Sequence, residues 1–113
     1  MKRAWVPDAG DLVWLSFHPQ AGREQAGRRP ALILSPATYN RKSGLAVVCP
    51  ITSQVKGYPF EVQLAPGSPV NGVVLADHLK SVDWQARRAE PAGRLHRQVL
   101  QEVLDRLAPL LGY

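Results

Sequence analysis

Short runs of apolar residues, broken by turn-forming residues, fill the first ninety positions. Asp11–Phe17 is rich in β-branched and aromatic residues between Gly10 and Pro19, and predicts a strand. Residues 18–29 show no apolar period and predict a loop of about twelve residues, long for a compact domain without a functional reason. Pro30–Ser35 is almost continuously apolar and predicts a strand buried on both faces, with Pro30 at its start. Leu45–Pro50 predicts a third strand and Thr52–Pro59 a polar loop. Phe60–Leu64 alternates, with Phe60, Val62 and Leu64 facing inward. The turn pairs Pro66-Gly67 and Asn71-Gly72 precede a strand at Val73–Leu75, and Lys80–Trp84 and Ala86–Arg88 supply one or two more. From Leu95 the period changes. Leu100, Val103, Leu104, Leu107 and Leu111 form one stripe of an amphipathic helix, ended or distorted by Pro109. Five to seven short strands and one helix imply a mainly β, α+β architecture: a small, strongly curved sheet or barrel closed by a C-terminal helix.

Composition narrows the class. The chain has 113 residues, the size of a single domain spanning 1–113, and 45% are hydrophobic, enough to build a core. A single cysteine, Cys49, excludes a disulfide framework and a multi-cysteine zinc site, and its apolar surroundings predict an inert thiol. No apolar run is long enough to cross a bilayer, and the N-terminus lacks the pattern of a signal peptide, so a cytoplasmic protein with no membrane association is expected.

The charge is unevenly placed. The net charge is +5. Residues 1–60 hold eight basic and three acidic groups, and residues 61–113 hold six of each. The excess falls on predicted loops at Arg23–Arg29, Arg41-Lys42 and Lys56. It reads either as a device for solubility or as a site for a polyanion, of which nucleic acid is the commonest in the cytoplasm.

Several segments, in order, resemble the MazF/PemK (Kid) toxins of bacterial toxin–antitoxin systems, and the MazF branch in particular. They are Val6–Trp14, Glu24-Gln-Ala-Gly-Arg-Arg-Pro30, Ser35-Pro36, Tyr39-Asn40, Pro50-Ile-Thr52, Lys56-Gly-Tyr-Pro-Phe60, Leu75-Ala-Asp77 and Lys80-Ser81. The resemblance implies a small SH3-like barrel of the PemK/CcdB type and a homodimer. It implies a sequence-specific, metal-independent endoribonuclease that cuts single-stranded mRNA, without a cofactor, to 2′,3′-cyclic phosphate and 5′-hydroxyl ends. It also implies a MazE-like antitoxin that lays a disordered segment across the dimer groove. A different class shares the fold: CcdB-like toxins that bind and inhibit DNA gyrase without cutting RNA. The Glu24–Pro30 loop with Thr52 favours the ribonuclease, and the Leu110-Leu-Gly-Tyr113 ending does not resemble the gyrase-poisoning tail.

RNA carries its own nucleophile, the 2′-hydroxyl. An enzyme without a metal must help remove that proton, protonate the leaving 5′-oxygen and stabilise the charge gained at phosphorus. Arg29 matches the family's catalytic arginine. Its fixed cation and forked donors suit transition-state charge, and as a base it is unsuited because it stays protonated. Thr52 matches the catalytic threonine; its hydroxyl either contacts a phosphoryl oxygen or satisfies its own turn, and Ser53 shares either role. Glu24 either orients Arg29, serves as the base, or is a solvated acid. Gln25 offers hydrogen bonds to a base edge or a 2′-hydroxyl. Arg23 and Lys56 are expected as phosphate contacts that add affinity without sequence choice, and Arg28 is expected on RNA.

Two histidines depart from the family pattern. Some relatives carry acids at the positions of Ser16 and His18; His18 reads either as an acid or base or as a solvated loop residue. His78 stands where an amide residue is common after Leu-Ala-Asp, which puts base selection, and hence the cleavage motif, outside what any one relative predicts. Trp14 and Phe17 read as packing residues and Trp84 as core or dimer interface, while Trp5 and Tyr58 read as core or as stacking platforms.

Overall fold

Alternation along the strands sets the architecture, which is described from a computed structural model for residues 5–16 and 27–113. In β1 (Asp11–Ser16), Leu12 faces one hydrophobic cluster while Val13 and Leu15 face another, and all three are fully buried. β2 (Arg28–Ile33) repeats this, with Leu32 on the first face and Ala31 and Ile33 on the second. The sheet is therefore covered on both sides, as the continuous apolar run predicts. β1 and β2 pair antiparallel, Leu12 opposite Leu32 and Leu15 opposite Arg29. β2 begins two residues earlier than its apolar run, so Pro30 lies inside the strand. It is tolerated because the ladder to β3 (Leu45–Thr52) reaches only as far as Ala31 opposite Pro50, leaving β2 an edge at Pro30.

β3 is the hub. Its first half pairs with β6 (Lys80–Asp83), its last two residues pair with β5 (Val73–Leu75), and its other edge carries β2. β4 (Glu61–Gln63) pairs with β5, and β7 (Glu90–Arg94) pairs with β1 across a register shift at Leu12/Val13. The order is β4-β5-β3-β2-β1-β7 with β6 on β3. The mainly β, α+β class with a C-terminal helix is as expected, but the end strands β4 and β7 do not pair, so the hydrogen-bonded sheet curls without closing.

Three elements depart from the sequence expectation. The predicted strand at Ala86–Arg88 is a turn, with Arg88 at φ 56°, and β7 follows it instead, hidden by Pro91 and Gly93. A helix absent from the apolar pattern, α1 (Ala37–Ser43), buries one residue, the polar Asn40. Its carboxamide donates to the Pro7 and Ser35 carbonyls (2.8 and 2.9 Å) and accepts from the Ser35 hydroxyl (2.6 Å). The Asn40 carbonyl accepts from the Trp84 indole at 3.0 Å. Trp84 is core, and Trp5 packs edge-to-face on it with ring centroids 6.3 Å apart, so Trp5 is structural. The last helix, α2 (Arg97–Leu110), buries Val99, Val103 and Leu107 against the first cluster and carries Pro109 in its final turn. Leu104 and Leu111 of the predicted stripe are exposed on its flank. No helix among the described residues is long and apolar enough to cross a membrane.

Candidate nucleic-acid cleavage site

The open edge of β2 and the end of β3 face one cleft of about 640 Å³. Trp14, Arg29 and Pro30 line it from β1 and β2, and Ile51, Thr52, Ser53 and Gln54 from the end of β3 and the residues after it. Pro69, Val70 and Asn71, from the segment joining β4 to β5, complete the wall. Arg29 is the only charged side chain among the described lining residues, so the cleft suits an anion. Arg29 is exposed, on a strand rather than a loop tip, and has no hydrogen-bond or ion-pair partner among the described residues.

Thr52 ends β3 opposite Val73. Its Oγ1 accepts the Gln54 backbone N–H at 3.1 Å. The turn-satisfying reading of Thr52 therefore holds, and it is compatible with chemistry: the bond uses a lone pair and leaves the hydroxyl proton for a ligand in the cleft. Ser53 lines the same cleft beside it.

The remaining candidates divide. Arg28, grouped by its charge with RNA contacts, is consumed internally: its guanidinium donates to the Ser16 hydroxyl (2.6 Å), the Arg88 carbonyl (2.6 Å) and the Glu90 carboxylate (2.9 Å), and reaches the Trp14 and Arg87 carbonyls (3.3 and 3.4 Å). It fastens β1 and β2 to the turn before β7. Lys56 lies outside the cleft lining, on a loop held by Glu61, whose carboxylate accepts the Lys56 and Gly57 backbone N–H groups at 2.8–3.2 Å. His78 is exposed in a single 3-10 turn, Ala76–His78, with Nε2 3.7 Å from the Asp77 carboxylate, and it too is outside the lining. His18, Arg23, Glu24 and Gln25 lie outside the described residues. Cys49 is buried beside the Ala76 carbonyl, and burial, aided by the Asp77 charge, pushes its thiol up to about 12, so it is inert as a nucleophile. Among the described residues no group of three His, Cys, Asp or Glu side chains is placed to hold a metal ion.

Nothing in the local sequence pattern marks Trp14, Gln54 or Asn71 for the cleft. Asn71-Gly72 announces a turn, but nothing in the pattern says that the turn folds back onto Thr52.

Residues 8–111 match the family model described as PemK-like, MazF-like toxin of type II toxin-antitoxin systems. The chain belongs to this family. It is 47% identical to the endoribonuclease toxin MazF of Escherichia coli K12, over 99% of this chain and all of that protein. It is 37% identical to the Escherichia coli endoribonuclease PemK, over 92% of this chain and 81% of that protein. Among solved structures, a MazE–MazF complex from Deinococcus radiodurans matches with a TM-score of 0.93 and 60% identity, over 96% of this chain and 98% of that one. A mycobacterial endoribonuclease with 22% identity matches at a TM-score of 0.75, a likeness of fold.

Proposed function

We propose that this chain is the endoribonuclease toxin of a toxin–antitoxin pair, cutting single-stranded mRNA at a short motif. The observation that carries the reading is that Arg29 and Thr52, on different strands, line one cleft in a chain whose full-length relatives are named endoribonucleases. The 2′-oxygen of the nucleotide before the cut forms a new bond to phosphorus as its proton leaves. The bond from phosphorus to the 5′-oxygen breaks, and that oxygen takes up a proton. The products are a 2′,3′-cyclic phosphate and a 5′-hydroxyl. Arg29 stabilises the charge on the phosphoryl oxygens with its forked donors, and the hydroxyl of Thr52 donates to the same group. Ser53 adds a second donor at the rim, and Glu24 is assigned to the proton transfer or to orienting Arg29. The step runs on these side chains without a metal ion or cofactor.

The apolar groove of about 450 Å³ between Leu34, Val47 and Leu79 and the flank of α2 is assigned to the second copy of a homodimer. Leu104, Leu111 and Tyr113, which line it and are exposed, support this. A MazE-like antitoxin and a cytoplasmic location complete the reading. Gyrase inhibition is not favoured, because the relatives that match along the whole chain are endoribonucleases.

The test is incubation of purified protein with a long RNA kept unfolded by an RNA chaperone, in excess EDTA, with cuts read by primer extension. Discrete cuts at one motif, absent with Arg29→Ala, are expected. Cuts that disappear with EDTA, or that persist in the variant, contradict the mechanism.

A further inference from the structure

The segment between β4 and β5 is fastened at several points, and Asn71 is its one polar residue among those lining the cleft. Val70 is buried in the main core. Pro69 sits on Gly93, where an added Cβ would come within 2.5 Å of the proline ring. Gly72, at φ 118°, lies so close to the end of β3 that a Cβ there would be 2.2 Å from the Thr52 carbonyl oxygen. The Gly72 carbonyl accepts from Leu64 N–H (3.1 Å) and the Gln63 carboxamide (3.2 Å), and Ser68 N–H bonds the Ala65 carbonyl (3.1 Å). Asn71 stands between two of these anchors, exposed, at the cleft, with no hydrogen-bond partner among the described residues.

We infer that Asn71 is a specificity-determining residue, reading the edge of a base next to the scissile phosphate. The inference rests on the ribonuclease reading. A carboxamide places a donor and an acceptor side by side, the pattern that matches a base edge, whereas phosphate recognition calls for a cation. Unstacked bases of single-stranded RNA expose those edges. A short side chain on a fixed support loses little freedom on binding, which favours discrimination. Gln54 also lines the cleft, on a longer side chain.

The experiment maps cuts by wild type, Asn71→Ala and Asn71→Asp on the same long RNA and compares each site by the base at every position around the cut. Thermal melting of each variant checks the fold; the exposed position predicts no change. The expected result is a fall of about tenfold or more in cutting at the wild-type motif relative to sites differing from it at one nucleotide. Asn71→Asp, which accepts but cannot donate, is expected to shift the preference at that same nucleotide in a different sense from Asn71→Ala. If both variants keep the wild-type ratios, whether at full rate or with all sites slowed in parallel, the assignment is wrong while the ribonuclease reading stands. If the wild type leaves the RNA intact, both readings fall together.

Discussion

Replacing Gly72 by alanine puts the coupling between the β4–β5 turn and Thr52 to a direct test. The added Cβ would lie 2.2 Å from the Thr52 carbonyl oxygen and 2.8 Å from its carbon, both backbone atoms that cannot swing aside. Relief to the 3.4 Å of ordinary contact requires the two segments to part by about 1.2 Å. A misplacement near 1 Å at a reacting group costs on the order of 100-fold in rate. The positive φ of Gly72 adds strain of about 1–3 kcal/mol. Gly44→Ala separates the two effects: Gly44 has φ 76°, caps α1, and has nothing within 4 Å of its Cβ position. Urea unfolding should show both variants destabilised, Gly72→Ala the more so. Single-turnover cleavage, measured well below either melting point, should fall about 100-fold for Gly72→Ala and stay at the wild-type rate for Gly44→Ala. Equal cleavage rates in the two variants would refute the claim that this turn sets the position of Thr52.

Three further outcomes follow from the packing. Arg28→Ala should lower stability by about 1–2 kcal/mol in urea unfolding, mainly through the partly buried Ser16 hydroxyl and Trp14 carbonyl losing a donor, because the exposed ion pair to Glu90 contributes little. The salt dependence of RNA binding should not change in that variant, since the guanidinium is already occupied. Asn40→Ala should cost about 2–4 kcal/mol, visible as a clear drop in melting temperature, because the Pro7 and Ser35 groups it satisfies are left without partners. The Cys49 thiol holds its proton in the folded chain up to about pH 12, against 9.0 for an unperturbed thiol. The unfolded state therefore loses that proton first, and stability falls as pH rises above 9, by on the order of 1 kcal/mol by pH 10. Cys49→Ala should flatten that part of the profile in denaturant titrations run from pH 8 to 10.5.

Strands with an apolar face were legible because burial imposes alternation: β1, β3, β5 and β6 lie close to their predicted places, and Val62 and Leu64 face inward as expected. Elements held by polar contacts were not. α1 is anchored by the hydrogen bonds of Asn40, which leave no apolar period, and β7 carries a proline and a glycine that read as loop. The site was half legible. The family resemblance points to Arg29 and Thr52, whereas their juxtaposition depends on β2 and β5 flanking β3, which no local pattern encodes. The arginine pair shows the same limit. Neighbouring residues of one type received opposite fates: Arg28 is tied into the fold, whereas Arg29 lines the cleft with no side-chain partner among the described residues, because of what lies across from each on β1 and β7.

The central claim is that the cleft makes the 2′-hydroxyl of the substrate attack its own phosphodiester. The most direct measurement uses a short RNA containing the mapped motif, alongside an otherwise identical strand with a single 2′-deoxy sugar before the cut, both in EDTA. The first strand should be cut to a 5′-hydroxyl end that polynucleotide kinase labels without prior phosphatase treatment, and the second should stay intact. Cleavage of the deoxy-substituted strand, or a 5′-phosphate on the product, would mean that water is the nucleophile and that the roles given to Arg29 and Thr52 are wrong.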